Sequence, residues 1–340
     1  MTRGAGGVFV AALSCDVEDA KPDAPLVELV VTDGDGQWDK PAAGGNYRFD
    51  GVAKSLLLKD GRLAASNSGG SVLVVTDLDG TMVGDDASTS AFKEWWDTHG
   101  RPSGGKLAFS TGRTLEQFEE LEEEKKGLLA TPDVLVSAVG TRVYLRDGAG
   151  AWVEDAGWTA RLDEAWDHDR VRDACYACLA QAGEERCHFR PKEEMNEHKI
   201  TMGMRNDVVN VATRLLRGLL DGAEVEAKVV VSGSGDWRYV DILASRAGKF
   251  ESLEYVRTSL FDFPTDRTLA CGDSGNDLDM LQGPHRCVVV GNAQEDVKAA
   301  MRGDTAALGD SLAAHDSLYV AEGCVAFGIL EALQHFGLRA

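Results

Sequence analysis

The chain has 340 residues, with 56 acidic and 35 basic side chains and a formal net charge of −21. Such a surface repels nucleic acid and anionic membranes, so neither is an expected partner. Apolar residues make up 44% of the chain, which allows a packed core and excludes wholesale disorder, and no stretch approaches the length of a membrane span. The apolar run Val8 to Leu13 is too short for a signal peptide, and acidic residues follow it. Seven scattered cysteines, an odd number, read as reduced thiols and point to a cytoplasmic protein.

Residues 1–66 read as a small β-rich extension. Leu26–Val31, Tyr47–Phe49 and Ser55–Leu58 are strand-like, and Asp33–Gly36 and Asp60–Gly61 carry turn chemistry. Ser66–Gly70 reads as a linker. The pattern then changes. Ser71–Thr76 is apolar throughout, as expected of a parallel strand buried on both faces. A helical pattern follows through Phe92, Trp95 and Trp96, then a strand at Lys106–Ser110, a helix at Leu115–Lys126 and a strand at Val134–Ala138. Residues 153–243 read as a separate α+β module, with helical stretches at 161–182 and 207–221 and strands at Ile200–Met204 and Lys228–Ser232. The alternation returns with a helix at 249–258, a strand at Arg267–Cys271, a helix at 276–281 and a strand at Cys287–Val290. The expected architecture is α/β: a doubly wound, Rossmann-like core formed by 67–152 and 244–340, interrupted by a cap at 153–243.

Ligands of such sheets bind outside the carboxyl ends of the strands. Asp77–Leu78–Asp79–Gly80–Thr81 follows the first core strand, and Thr111–Gly112–Arg113 the second. Gly272–Asp273–Ser274–Gly275–Asn276–Asp277 follows a later one, and Gly248–Lys249 opens a helix. Four carboxylates, a hydroxyl and an ammonium would thus converge at one edge. So much like charge is costly without a bound cation. The set meets the demands of phosphate-ester cleavage. A carboxylate can attack phosphorus, and a second can protonate the leaving group. An oxygen-ligated Mg²⁺ offsets charge, while a lysine and a hydroxyl hold the phosphoryl oxygens. Each piece alone is as readily a turn or a helix start. Their order, each after a strand, is what carries chemistry.

These motifs resemble the haloacid dehalogenase-like phosphatases, and within them the sucrose-phosphate phosphatase branch. Asp77–Asp85, Phe109–Thr114, Ala138–Thr141, His198–Thr201, Val240–Leu243 with Gly248–Lys249, Cys271–Asp277 and Asn292–Gln294 all look like segments of that branch. The likeness runs from about residue 71 to the C-terminus. It implies a haloacid dehalogenase core with a type-2 cap and a phosphohydrolase acting on a phosphorylated sugar, sucrose 6-phosphate first. Glucosylglycerol and glycosylglycerate phosphates are alternatives, as is a non-catalytic sensing domain. Asp77 would be the nucleophile, Asp79 the general acid and base, and Thr111 and Lys249 the phosphoryl grip. Asp77, the carbonyl of Asp79 and Asp273 would hold Mg²⁺, supported by Asp277. Ser274 and Asn276 would position Lys249 and the metal's waters. Gly112, Arg113, His198, Lys199 and Asp241 would contact substrate. The implied partner is a small-molecule sugar phosphate, and the expected state a monomer or weak homo-oligomer.

Some residues depart from the branch pattern. Arg142 stands where an acidic residue is usual, Phe250 where a small one is, and Ala244 where proline is frequent, while Gly235–Arg238 reads as a longer cap loop. His198 and Lys199 are read either as sugar contacts or as a solvated strand end. Trp237 is read as core or as a stacking platform. Cys175, Cys178, Cys187 and His188 could bind zinc, but the paired CxxC spacing is absent and a helix with buried thiols is the simpler reading. Trp38 and Tyr47, set among Gly and Asn, make the extension either a carbohydrate contact or a packed scaffold.

Overall fold

The computed structural model describes residues 71–164, 166–233, 235–301 and 316–338, with short strands between residues 2 and 65. The expected linker at 66–70 lies outside the described residues. The chain divides into two compact units, Met1–Gly69 and Gly70–Ala340. In the first, Val27–Leu29 pairs with Tyr47–Phe49, Val31–Thr32 with Trp38–Asp39, and Leu56–Lys59 with Arg62–Ala65, all antiparallel. The last two flank the expected Asp33–Gly36 and Asp60–Gly61 turns, while the first spans the Val31–Asp39 pair.

The second unit is built on an eight-stranded sheet. Its strands are β1 (Leu73–Thr76), β2 (Lys106–Ser110), β3 (Val134–Ser137), β4 (Arg142–Arg146) and β5 (Trp152–Glu154). After the four cap strands β6–β9 come β10 (Thr268–Gly272), β11 (Arg286–Val289) and β12 (Leu318–Val320). The order is β5-β4-β3-β2-β1-β10-β11-β12. The six strands β3, β2, β1, β10, β11 and β12 run parallel, while β4 and β5 add an antiparallel edge. Successive residues of a strand point to opposite faces, so a strand covered on both must be apolar at every position. Val72 and Val74 enter one cluster with Phe92, Trp96, Phe118 and Ile329. Leu73 and Val75 enter the opposite one with Trp158, Leu253 and Met280. This is the doubly wound core that the sequence implies.

The cap is a four-stranded antiparallel sheet in the order β6-β7-β9-β8. Its strands are β6 (Cys187–Phe189), β7 (Lys199–Arg205), β8 (Ala227–Ser232) and β9 (Trp237–Ala244). Helices His168–Ala182 and Val209–Gly222 cover one face, burying Cys175, Cys178 and Cys187 with Ile200, Met202, Met204, Val240 and Ile242. The thiols are free and their burial raises them, Cys175 to about 12 and Cys178 to about 11. They pack as apolar groups, and among the described residues the only cluster suited to a metal lies elsewhere. The other face turns to the core: Val230 and Leu243 pack into the core cluster.

Two boundaries differ from the sequence reading. The helical stretch expected over 161–182 is two helices, Ala156–Asp163 and His168–Ala182. Each has its own aspartate N-cap: Asp155 accepts from the Trp158 amide and Asp167 from the Arg170 amide. Val153 and Glu154, expected to open the cap, pair with Leu145 and Tyr144 in the large sheet. Between the two helices, Trp166 packs against both the core and the cap clusters. Among the described residues no helix is long and apolar enough to cross a membrane.

Trp158 is fully buried and its indole N–H donates to the Gly140 carbonyl at 3.2 Å. Trp158→Ala is expected to lower unfolding stability by about 3–5 kcal/mol in denaturant titration, and a loss under about 1 kcal/mol would count against this packing.

Candidate active site

β1 and β10 are adjacent and parallel, so the residues that follow them emerge side by side. The Asp77 amide donates to the Cys271 carbonyl at 3.0 Å, extending the ladder one step into the loop. Asp77 and Asp273 are both buried there. Thr81 closes the first loop onto the second, its hydroxyl donating to Asp273 Oδ1 at 2.8 Å. The loops meet at Gly80. Its φ is +87°, and a Cβ there would stand 2.6 Å from Asp273 Oδ2. Only glycine supplies both the left-handed turn and that approach.

Asp277 turns back beneath the site. Its Oδ2 accepts from the amides of Asp273 and Ser274, each at 3.0 Å. Its Oδ1 accepts from Lys249 Nζ at 2.7 Å, and the same ammonium donates to Asp77 Oδ1 at 2.7 Å. Lys249 is fully buried. Burial works against its charge, yet the Asp277 and Asp77 carboxylates outweigh it and hold the ammonium above its ordinary range. Burial lifts Asp77 well above the usual carboxylate range; Lys249 opposes this, while Asp277 and Asp273 add to it. Asp273 is pushed up to about 6, by burial first and then by Asp277.

Ligand atoms of Asp77, Asp273 and Asp277 lie within 4.8 Å of one another. One ammonium cannot balance three buried carboxylates, and the donors are all hard oxygens. That set fits a hard divalent cation.

The remaining expected residues fall into two groups. Thr111 is buried at the end of β2, and its hydroxyl accepts from the Arg113 amide at 3.1 Å. Gly112 is exposed beside it. Arg113 makes a bidentate pair with Asp79, at 2.8 Å from each oxygen, and Asp79 is half exposed. Ser274 acts on Asp277 through its amide and donates from its hydroxyl to Asn276 Oδ1 at 3.1 Å, so it reaches Lys249 only through Asp277. The second group lies in the cap. Lys199 and Asp241 form a buried ion pair at 3.4 Å, and Asp241 also accepts from the Thr201 hydroxyl at 2.7 Å. His198 is buried and its Nε2 lies 2.7 Å from Asp163, on the last turn of a core helix. Neither His198 nor Lys199 is a solvated strand end.

Several supporting residues had no role in the sequence reading. Asn292 ties the site to the next loop: its amide donates to the Gly80 carbonyl at 2.7 Å, and its Oδ1 accepts from the Val325 amide at 2.7 Å. Gln294 donates to Asp273 Oδ2 at 3.4 Å. Ala138 and Val139 sit at φ 50° and 60°, a strained region for a β-branched residue. Their amides donate to the carbonyls of Arg113 and Thr111, at 2.9 and 3.0 Å. The strain is thus spent in holding the Thr111–Arg113 loop. Arg142 follows, paired with Glu154 and with Glu197 of the cap, while Asn196 donates to the Thr141 hydroxyl at 2.8 Å. The unexpected arginine is a core-to-cap tie.

The family model described as sucrose-6F-phosphate phosphohydrolase matches residues 70–337. The chain belongs to that family. Sucrose-phosphatase 1 of Nicotiana tabacum is 31% identical over 278 residues, covering 78% of this chain and 59% of the relative. The chain therefore spans about three-fifths of the length of the plant relatives it matches. Mannosylfructose-phosphate phosphatase of Agrobacterium fabrum is 27% identical, covering 78% of this chain and 97% of the relative. Among solved structures, the sucrose-phosphatase of Synechocystis sp. PCC6803, in complex with sucrose and phosphate, superposes with a TM-score of 0.66. It is 28% identical and covers 78% of this chain and 98% of its own. A haloacid dehalogenase-like hydrolase of Bacillus subtilis, 17% identical with a TM-score of 0.54, covers 78% of this chain and 91% of its own and shares the fold.

The raised carboxylate yields a pH-dependent cation effect. Asp273 titrates at about 6 in the metal-free fold, above its ordinary 3.8. At this group the fold therefore binds more protons than the unfolded chain between those values, and the contribution of Asp273 to the stability of the metal-free protein falls as pH rises through them. A divalent cation must displace the proton. Asp77, raised in the same direction, adds to this competition, so added cation is expected to raise the melting temperature more at about pH 7.5 than at about pH 5, and an equal rise at the two would contradict the site.

Proposed function

We propose that this chain is a Mg²⁺-dependent phosphohydrolase that converts sucrose 6-phosphate to sucrose through an aspartyl-phosphate on Asp77. The observation that carries this reading is the fully buried Lys249 held between Asp77 and Asp277, with Asp273 alongside, at the carboxyl ends of adjacent parallel strands. An ammonium placed there opposes the effect of burial on the attacking carboxylate, favouring its ionised form, and offers a grip for a phosphoryl oxygen. Family membership and the Synechocystis likeness support it.

In the first step an Asp77 oxygen attacks phosphorus and the bond to the sugar oxygen breaks. Asp79 gives that oxygen its proton. In the second, water attacks the aspartyl-phosphate, Asp79 takes the water's proton, and phosphate leaves as the carboxylate of Asp77 is restored. Lys249 and Thr111 hold the phosphoryl oxygens through both steps. Asp77, the Asp79 carbonyl and Asp273, supported by Asp277, would hold Mg²⁺, which would supply charge neutralisation for the phosphate and the carboxylates. The Asp79–Arg113 pair opens when substrate enters, freeing Asp79 for the leaving oxygen and Arg113 for the substrate, beside Gly112. Ser274 and Asn276 keep Asp277 in place.

In the cap, Lys199 and Asp241 would read the sugar hydroxyls. We read His198 differently from the expectation: paired with Asp163, it fastens the start of β7 to the helix Ala156–Asp163. A second reading, a phosphatase for mannosylfructose phosphate, is favoured by the relative whose own length is covered to 97%. Both Asp77 and Asp79 are present, which weighs against a sensing domain. The hairpins of residues 1–66 remain a candidate carbohydrate contact.

Asp77→Asn and Asp273→Asn are each expected to abolish phosphate release with Mg²⁺ while keeping the parent's circular dichroism spectrum. Substantial turnover in either folded variant would overturn the mechanism. Across a panel of sucrose 6-phosphate, mannosylfructose phosphate, glucosylglycerol phosphate, glucose 6-phosphate and fructose 6-phosphate, the highest kcat/KM is expected for sucrose 6-phosphate; preference for another member would keep the chemistry and change the substrate.

A further inference from the structure

The chain crosses back from cap to core in residues 245–248, between the end of β9 at Ala244 and the helix Lys249–Tyr255. Gly248, at the core end of this crossing, has φ +132°. Space is a second reason for a glycine there. A Cβ on Gly248 would stand 2.6 Å from Glu251 Oε2, 3.1 Å from Asp279 Oδ2 and 3.3 Å from Lys228 Nζ. Charged ends from three different elements therefore meet over one glycine. Glu251 belongs to the first turn of the helix that Lys249 opens, Asp279 lies just beyond Asp277, and Lys228 comes from β8 of the cap. Register turns Lys228 towards the core: it pairs with Leu243, which packs into the core cluster.

Lys228 and Glu251 are ion-paired. Glu251 Oε2 is buried and has no hydrogen-bond partner among the described residues, so this carboxylate relies on the Lys228 ammonium. Asp279 Oδ1 accepts from the Met280 amide at 2.7 Å, which leaves Oδ2 for the cluster. Gly140 presses on the same crossing. Its φ is +81°, and a Cβ on it would lie 2.2 Å from the Gly248 carbonyl oxygen. That oxygen is the first acceptor of the helix, taking the Ser252 amide at 3.0 Å and the Ser252 hydroxyl at 2.8 Å. The helix start that aims Lys249 is thus fixed at Gly248, and a cap residue is part of what fixes it.

We propose that Lys228 is a positioning residue for the ammonium of Lys249. Acting through Glu251 and Asp279, it clamps the helix that Lys249 opens to the turn that follows Asp277, so that Lys249 spans Asp77 and Asp277 while β8 is seated on the core. The inference rests on the phosphohydrolase reading for its kinetics and on the fold for the clamp. Without the Lys228 ammonium, Glu251 and Asp279 face each other over Gly248 and repel, and the helix start moves away from the turn. Lys249 then keeps its charge but loses the position from which it grips a phosphoryl oxygen, and a misplacement of about 1 Å is costly to a catalytic group. A guanidinium can replace the ammonium, because a cavity of about 240 Å³ lies beside Lys228, between β8 and the Gly275–Asp279 segment.

The test compares the parent with Lys228→Met, Lys228→Arg, Glu251→Gln and the double variant Lys228→Met with Glu251→Gln. Phosphate release by Lys228→Met is expected to fall roughly tenfold in kcat, with KM held within about twofold, and Lys228→Arg to recover most of the loss. The double variant is expected to lose no more than the worse single change, since the two residues act as one unit. An unchanged kcat in Lys228→Met overturns the proposal. A loss confined to KM, which would make Lys228 a substrate contact, does so too, as do losses that multiply in the double variant. Amide hydrogen exchange followed by mass spectrometry reads the clamp without substrate. The segment 246–253 is expected to exchange faster in Lys228→Met than in the parent and at the parent rate in Lys228→Arg, with the cap helices unchanged. If the parent releases phosphate from no sugar phosphate, the phosphatase reading fails separately and exchange decides the clamp: equal protection of 246–253 in the parent and Lys228→Met overturns it.

Discussion

Burial of the Lys249 ammonium between two carboxylates is the constraint on which the rest of the unit depends. A lone buried cation or a lone buried carboxylate would cost several kcal/mol. Here the pairing sets Lys249 against Asp77 and Asp277, which come from loops far apart in the chain. The loops must therefore be held to within hydrogen-bonding distance, and the parallel pairing of β1 with β10 does that. The apolar cores on either side of the sheet supply the rigidity. With Asp273 as the third carboxylate, one ammonium leaves two negative charges, which a divalent cation would balance.

The core and cap divide the chemistry. Every group proposed to touch phosphorus comes from the core loops, whose backbones are tied to one another by Thr81, Asn292 and the strained Ala138–Val139 turn. The cap offers a sheet with one helix-covered face and one turned to the core. It is joined to the core by Asn196 to Thr141, Arg142 to Glu197, His198 to Asp163 and Lys228 to Glu251. The Thr141 tie continues through the Ala138–Val139 turn to the Thr111–Arg113 loop, and from Arg113 to Asp79. The position of the cap and the disposition of Asp79 are thus linked by consecutive hydrogen bonds.

The core motifs were legible because each is local. Asp77, Thr111, Lys249 and Asp273 each follow a strand end or open a helix, and a strand buried on both faces leaves an unbroken apolar run that marks where it stops. The hairpins of the first unit were legible for the same reason, through their Asp-Gly turns. The break at 163–168 was not, since helical periodicity in Leu162 and Val171 continues across it and only the aspartate caps mark the division. The roles of Asn292 and Gln294 were hidden because their partners, Gly80 and Asp273, are remote in sequence.

By itself the sequence determined the α/β class, the inserted cap and the residue types at the strand ends, because period, turn chemistry and charge are properties of neighbouring residues. Only the tertiary structure decided which carboxylates share Lys249, that Asp79 is held by Arg113, that Arg142 reaches the cap, and that Trp237 and Tyr239 stand exposed beside a buried ion pair. Those depend on register between strands, and a shift of one residue would turn every side chain of a strand to its other face.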